Sequence, residues 1–207
     1  MQNTFTKDIL PSKIRMLIIT DTHGYLPPDI ARLKDMQYDA CFLLGDIYQS
    51  DLDRLRSLLD LDKTYGIIGN HNYLNFLRDN GIRDIHGQAI TVNDITFAGW
   101  GGSIKYKAPI ELGFDGEFNG ISSIDFARTL PKADVLLSHD SPLLDNRALP
   151  HSGIRGISWY LEQNHVPLNI HGHLHQNRID KISDETTSIG VFRIAVIDEN
   201  GNMELID

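Results

Sequence analysis

Residues able to hold metal ions fall in five short clusters: Asp21-Thr22-His23, Gly45-Asp46, Gly69-Asn70-His71, Ser138-His139 and Gly172-His173-Leu174-His175. Asp, Asn and His offer oxygen and imidazole-nitrogen donors, the set that suits Mn, Fe, Zn or Ni rather than a thiolate-preferring ion. Seven donor residues, Asp21, His23, Asp46, Asn70, His139, His173 and His175, exceed what one tetrahedral ion with an open position takes. They suit two ions sharing one carboxylate. Asp21 and His23 are two residues apart, as are His173 and His175, and in an extended chain such residues point to the same side. Each pair is therefore expected to reach one small volume. Two carboxylates against two divalent cations leave such a site net positive, so an anionic substrate is attracted to it.

Strands must carry these clusters. Met16-Leu17-Ile18-Ile19, Cys41-Phe42-Leu43-Leu44, Gly66-Ile67-Ile68, Val135-Leu136-Leu137 and Leu168-Asn169-Ile170 precede them, short apolar runs of the kind that strands buried on both faces require. Sites in open α/β sheets assemble at the carboxyl ends of strands. Gly45, Gly69 and Gly172 precede donors, where a missing Cβ lets the backbone turn sharply and approach an ion closely. Between the clusters, helices are expected over 28–36, 51–59, 72–80, 121–130 and 152–164, the last capped by Ser152. Alternation over 90–99 suggests strands around Asn93-Asp94, and Asn200-Gly201 marks a hairpin between 191–197 and 203–206. The glycine-rich stretch from Gly99 to Gly120 reads as a lid or binding loop.

The expected architecture is α/β over a single domain, residues 1–207, with no repeat or dividing linker. An apolar fraction of 41% and a charged fraction of 23% are those of an ordinary globular protein. A net charge of −9 and the lack of a basic run with interleaved aromatics disfavour a nucleic-acid-binding face. Cys41, the one cysteine, sits in an apolar run and is expected to pack as a small hydrophobe. The N-terminal residues carry no apolar signal core and no segment approaches membrane-spanning length, so a cytoplasmic location is expected.

In that order, D-x-H, G-D, G-N-H, H and G-H-x-H, the clusters resemble the calcineurin-like metallophosphoesterase superfamily. The resemblance runs from about Ile14 to Asn200. Phe97-Ala98-Gly99-Trp100-Gly101-Gly102-Ser103 and Ser138-His139-Asp140-Ser141-Pro142 are similar to the smaller Icc-related phosphoesterases. The resemblance implies a two-sheet β-sandwich flanked by helices, with a dinuclear site at one edge. It assigns Asp21, His23, Asp46 and His175 to one ion and Asp46, Asn70, His139 and His173 to the other, with Asp46 bridging. It implies two divalent ions, Mn²⁺ foremost, with Fe, Zn and Ni compatible.

A dinuclear site of this kind binds a water between its ions and presents hydroxide to phosphorus. His71, beside Asn70, matches the family's general acid for the leaving group. The expected function is a phosphoesterase, foremost a phosphodiesterase, acting on a small phosphoester such as a nucleotide. The alternatives are a catalytically silent scaffold that binds protein partners, or a nuclease. Arg147 is a candidate substrate contact, able to grip a phosphate bidentately. Tyr48, Tyr73, Trp100 and Arg155 are candidates to line the cleft, and His171 a conceivable third ligand from its strand. Asn72 stands where many relatives have Asp or Glu after G-N-H. Gln49 stands where protein phosphatases carry the carboxylate that orients the acid histidine, a task Asp51 is a candidate to take over. Thr187-Ser188-Ile189-Gly190 replaces an Asn-Pro-Gly-Ser-like turn.

Overall fold

The structure, a computed structural model, describes residues 10–103, 117–118, 121–143 and 153–206. In the first half of the chain the strands are β1 (Met16–Thr20), β2 (Ala40–Leu43), β3 (Thr64–Gly66), β4 (Arg83–Asp84), β5 (Ala89–Val92) and β6 (Ile95–Trp100). Then follow β7 (Glu117–Phe118), β8 (Ile121–Ser122), β9 (Val135–Ser138), β10 (Leu168–His171), β11 (Arg178–Lys181), β12 (Thr187–Gly190), β13 (Arg193–Ile197) and β14 (Met203–Leu205). The helices are α1 (Gln49–Leu55), α2 (Phe76–Asp79), α3 (Ser123–Thr129) and α4 (Arg155–Asn164).

Two six-stranded sheets form, ordered β14-β13-β1-β2-β3-β4 and β11-β12-β10-β9-β6-β5. Their middle strands run parallel, β1 with β2 and β3, and β6 with β9, β10 and β12. Antiparallel strands lie outside them, β13 and β14 in one sheet, β5 and β11 in the other. Alternation within each strand explains the layers. Met16 and Ile18 of β1 face the second sheet and pack with Phe42, Phe97, Leu137 and Ile170. Leu17 and Ile19 face outward and are covered by Leu33, Leu52, Leu55 and Leu77. On the far face of the second sheet, Trp100 and Leu136 are covered by Phe126, Ile157 and Tyr160 of α3 and α4. Both faces of each sheet are thus buried, which is why β1, β2 and β9 read as unbroken apolar runs. This is the expected sandwich of two sheets flanked by helices.

Local details depart from the sequence reading. Residues 28–36 form a 3₁₀ helix over Ile30–Asp35 rather than an α-helix. The helix expected over 72–80 is a single turn, α2, because Asn72 is spent on loop contacts described below. The helix after residue 152 begins at Arg155, and Ile154 at its N-cap makes no side-chain capping bond; Ser152 lies outside the described residues. Ser122, not foreseen as a cap, accepts from the Asp125 N–H at the start of α3 at 3.1 Å. Thr187 to Gly190, at the place of the turn that the resemblance would give, form the strand β12, paired in parallel with β10. Trp100 is fully buried and lines no cleft. Asn93 and Asp94, at φ 49 and 62, make the tight β5–β6 turn as expected. Most of the 99–120 stretch and the region holding Arg147 and His151 lie outside the described residues. Among the described residues no helix is long and apolar enough to cross a membrane.

Candidate metal centre

The loops leaving β1, β2, β3, β9 and β10 converge where the two sheets meet. Two groups of donors form: Asp21, His23 and His175, and beside them Asp46, His139 and His173. Within each group the donor atoms lie within 4.8 Å of one another. Asn70 joins the second, its Oδ1 lying 3.0 Å from His139 Nε2. All seven sequence-derived donors are therefore brought together. Asp21 and His23 share a group as their spacing predicts, whereas His173 and His175 divide between the groups. The cause is the backbone: Asp21, His23, Asp46, His173 and His175 all have φ between 46 and 64, in the left-handed region. A loop in that conformation does not alternate like a strand, so two-residue spacing no longer fixes a common side. Non-glycine residues held there cost about 1–3 kcal/mol each and gather at functional sites.

The two carboxylates are built alike. Asp21 Oδ2 accepts from the Thr20 hydroxyl at 2.6 Å and the His173 N–H at 2.8 Å. Its buried Oδ1 receives no hydrogen bond, and His175 Nε2 and His23 Nε2 approach it at 3.5 and 3.8 Å. Asp46 Oδ1 accepts the His71 N–H at 2.8 Å. Asp46 Oδ2 faces His139, His23 and His71, whose Nε2 atoms lie at 3.4, 3.8 and 4.0 Å. Each carboxylate thus has one oxygen tied down by donors and one aimed at converging imidazoles, and Asp46 Oδ2 lies between the two groups. Such outer hydrogen bonds fix a ligand's orientation before an ion arrives.

His139 Nδ1 lies 2.7 Å from the Leu44 carbonyl. That carbonyl requires Nδ1–H as donor and leaves Nε2 to face Asn70 and Asp46. Burial disfavours charge on both His139 and Asp46, but their pairing outweighs it: His139 is raised to about 9 and Asp46 lowered to about 2. Burial pushes His23 down, whereas His175 is raised by the Asp21 carboxylate facing it at 3.5 Å. Histidines are the only cations set against Asp21 and Asp46 among the described residues. Two buried carboxylates answered only by imidazoles are a poor cage for an alkali ion and a good one for borderline divalent ions. The 3.0 Å between His23 Nε2 and His175 Nε2 is close to the separation, roughly 3.0–3.4 Å for angles from 90° to tetrahedral, that two nitrogens about 2.1 Å from one ion would have. The residues fit a divalent metal pair.

Glycine makes the close approach feasible. A Cβ on Gly69 would stand 2.6 Å from Asp46 N, and one on Gly45 2.5 Å from Gly69 N. Asn72 closes the same junction. Its Oδ1 accepts from Asp46 N at 2.8 Å and Gly69 N at 3.0 Å, and its Nδ2 donates to the Ile47 carbonyl at 2.9 Å. Asp51 does the same for the β1 loop, its Oδ2 accepting from Thr22 Oγ1 at 2.5 Å and Gly24 N at 2.8 Å. Neither residue carried a clear signal in the sequence, because polar residues that bind backbone look like ordinary turn residues.

His71 stands on the rim, its side chain 56% exposed, with its ring 5.3 Å from that of His23. None of the residues considered as its orienting partner takes that role. Gln49 is bonded to Asn80 and Asp53, Asn72 to backbone, and Asp51 to the β1 loop. His171 is buried with Nδ1 2.9 Å from the Gly172 carbonyl and belongs to neither donor group. His86 is stacked on Phe126 at 4.9 Å and accepts from Gly101 N through Nδ1. Tyr48 stands edge-on to His23 at 5.7 Å and is exposed beside the centre.

Solved structures share this fold. The chain aligns over 93% of its length with 98% of TT1561 from Thermus thermophilus, at 14% identity and a TM-score of 0.64. It aligns over 95% of its length with a protein assigned as a 5′-nucleotidase from Staphylococcus aureus, at 18% identity and a TM-score of 0.58. A 5′-nucleotidase from Candida albicans SC5314 aligns over 94% of this chain, at 12% identity and a TM-score of 0.53. The chain spans about half of these two proteins, 53% and 48% respectively. No curated protein sequence matches it closely. The family model for calcineurin-like phosphoesterases matches residues 14–177, a span that takes in all five donor clusters, and the chain belongs to that family.

Proposed function

We propose that this protein is a dimetal-dependent phosphoesterase, foremost a phosphodiesterase acting on a small phosphoester such as a nucleotide. The observation that carries this reading is the position of Asp46 Oδ2, between two donor groups whose other carboxylate, Asp21, also turns an oxygen free of hydrogen bonds toward imidazoles. Asp21, His23, Asp46 and His175 would hold one divalent ion and Asp46, Asn70, His139 and His173 the other. Mn²⁺ is the first choice and Fe, Zn or Ni remain compatible with the same donors. Bound there, the pair would supply an activated water and positive charge for the phosphoryl oxygens.

The chain's own residues do the rest. Asn72 and Asp51 hold the donor loops, so that ligand positions are set before substrate arrives. Thr20 and the His173 N–H fix Asp21, and the His71 N–H fixes Asp46. The His71 ring, exposed on the rim beside Asp46, is placed to give a proton to a departing alkoxide through Nε2. The sequence keeps all seven donors and His71, which weighs against a scaffold that has lost its chemistry. The test is a screen of the Mn²⁺-loaded protein against phosphomonoesters, linear diesters, cyclic nucleotides and short oligonucleotides. Turnover of diesters in preference to matched monoesters supports the reading. A large monoester preference would overturn the diesterase assignment, and no turnover of any class would overturn the enzyme.

A further inference from the structure

Arg193 opens β13 at the register position opposite Thr20, one residue before Asp21, and so stands at the edge of the centre. Its guanidinium carbon lies 4.0 Å over the Tyr25 ring and 4.7 Å over the Phe192 ring. Tyr25 is on the loop that carries His23, and Phe192 is stacked on the His175 ring at 5.1 Å. The contacts of 5.1 and 4.7 Å in succession keep the guanidinium within about 10 Å of the His175 imidazole.

Several features of this arginine call for an explanation. Its φ of 71° lies in the left-handed region, where a long side chain is rarely found. Its Nε is buried with no hydrogen-bond partner. Among the described residues no carboxylate pairs with it, although Asp and Glu outnumber Lys and Arg in the chain by 28 to 19. Stacking on aromatic faces occupies the flat sides of a guanidinium and leaves its edge N–H groups as donors. A strained, partly desolvated cation held by two rings with its donors uncommitted is built to receive an anion.

We propose that Arg193, held by Tyr25 and Phe192, binds a second anionic group of the substrate, such as a phosphate beyond the scissile one. The inference rests on the phosphoesterase reading and narrows its substrate class to phosphoesters with two anionic groups. Arg193 is a specificity residue in this account and takes no part in bond breaking.

The test uses thymidine 5′-(4-nitrophenyl phosphate) with and without a 3′-phosphate, on Mn²⁺-loaded wild type, Arg193→Gln and Arg193→Lys. Wild type is expected to favour the 3′-phosphorylated ester in kcat/KM, mainly through KM. Arg193→Gln should lower that preference by about 10–100-fold, the loss expected for a charge-assisted contact, and Arg193→Lys should lower it less. Calorimetry with thymidine 3′,5′-bisphosphate and thymidine 5′-monophosphate reads the same preference without turnover. A wild-type preference near one, or equal loss on both esters in Gln and Lys variants alike, would overturn the proposal. If neither ester is cleaved but bisphosphate binding depends on Arg193, the enzyme reading fails and the anion site stands. If both are cleaved with no preference that Arg193 controls, the anion site fails and the enzyme stands.

Discussion

Asn72→Ala should loosen the metal centre without removing a single donor. The amide makes three bonds to backbone, accepting from Asp46 N and Gly69 N and donating to the Ile47 carbonyl. At about 1 kcal/mol net for each, and somewhat more if a buried N–H is left unsatisfied, the loss is about 2–4 kcal/mol. For a chain of this size that corresponds to about 4–16 °C in Tm. The same bonds set where Asp46 and Asn70 point, and losing such outer support costs about 10–100-fold in metal affinity. Urea unfolding gives the first number and Mn²⁺ titration of the folded variant the second. Asn72→Asp keeps the acceptor for the two N–H groups but turns the Ile47 bond into a contact between two acceptor oxygens, so it should recover only part of the metal affinity. If Asn72→Ala cost under about 0.5 kcal/mol and left the Mn²⁺ affinity unchanged, the junction would be held by the glycine loops alone and the reasoning would fail.

His71→Ala should lower kcat by about 10²–10⁴ on phosphodiesters with alkyl leaving groups, and far less on aryl esters that need no acid, with metal content unchanged. Equal losses on both ester types would mean that His71 positions the phosphate instead. Stability should fall at alkaline pH through two buried groups. Burial pushes the Cys41 thiol and the Tyr160 phenol each up to about 12, so both stay neutral in the fold while the unfolded chain ionises above its ordinary values. Stability from each is therefore complete below the unfolded pKa, near pH 8.5 for Cys41 and near pH 10 for Tyr160, and falls by about 1.4 kcal/mol per pH unit above it. Cys41→Ala should abolish the part of the slope that begins at the lower pH, as followed by urea midpoints between pH 8 and 11. A native thiol assay at pH 8 should find Cys41 unreactive until the protein is unfolded.

The strand-end clusters were legible in the sequence for a physical reason. A strand buried on both faces has no choice but an unbroken apolar run, and a polar donor at its end is conspicuous against it, as with Leu44 before Gly45-Asp46. The sandwich followed from the family resemblance carried by those clusters. The backbone inside the loops was not legible. Left-handed φ at His173 and His175 divides two residues that strand spacing would place together, and no side-chain type announces it. Asn72, Asp51 and the Arg193–Tyr25–Phe192 contacts were hidden likewise, because they join segments far apart in sequence through geometry alone. Gln49 could be read only as a departure; its partner Asn80 lies 31 residues away.

The central claim is a dinuclear centre bridged by Asp46, and metal stoichiometry tests it most directly. After exchange into Mn²⁺ and removal of free metal, elemental analysis of wild type should give about two ions per chain. His139→Ala should retain one, because it removes a donor from one group only, whereas Asp46→Asn should weaken both sites together. A wild-type value fixed near one, unchanged by His139→Ala, would contradict the account.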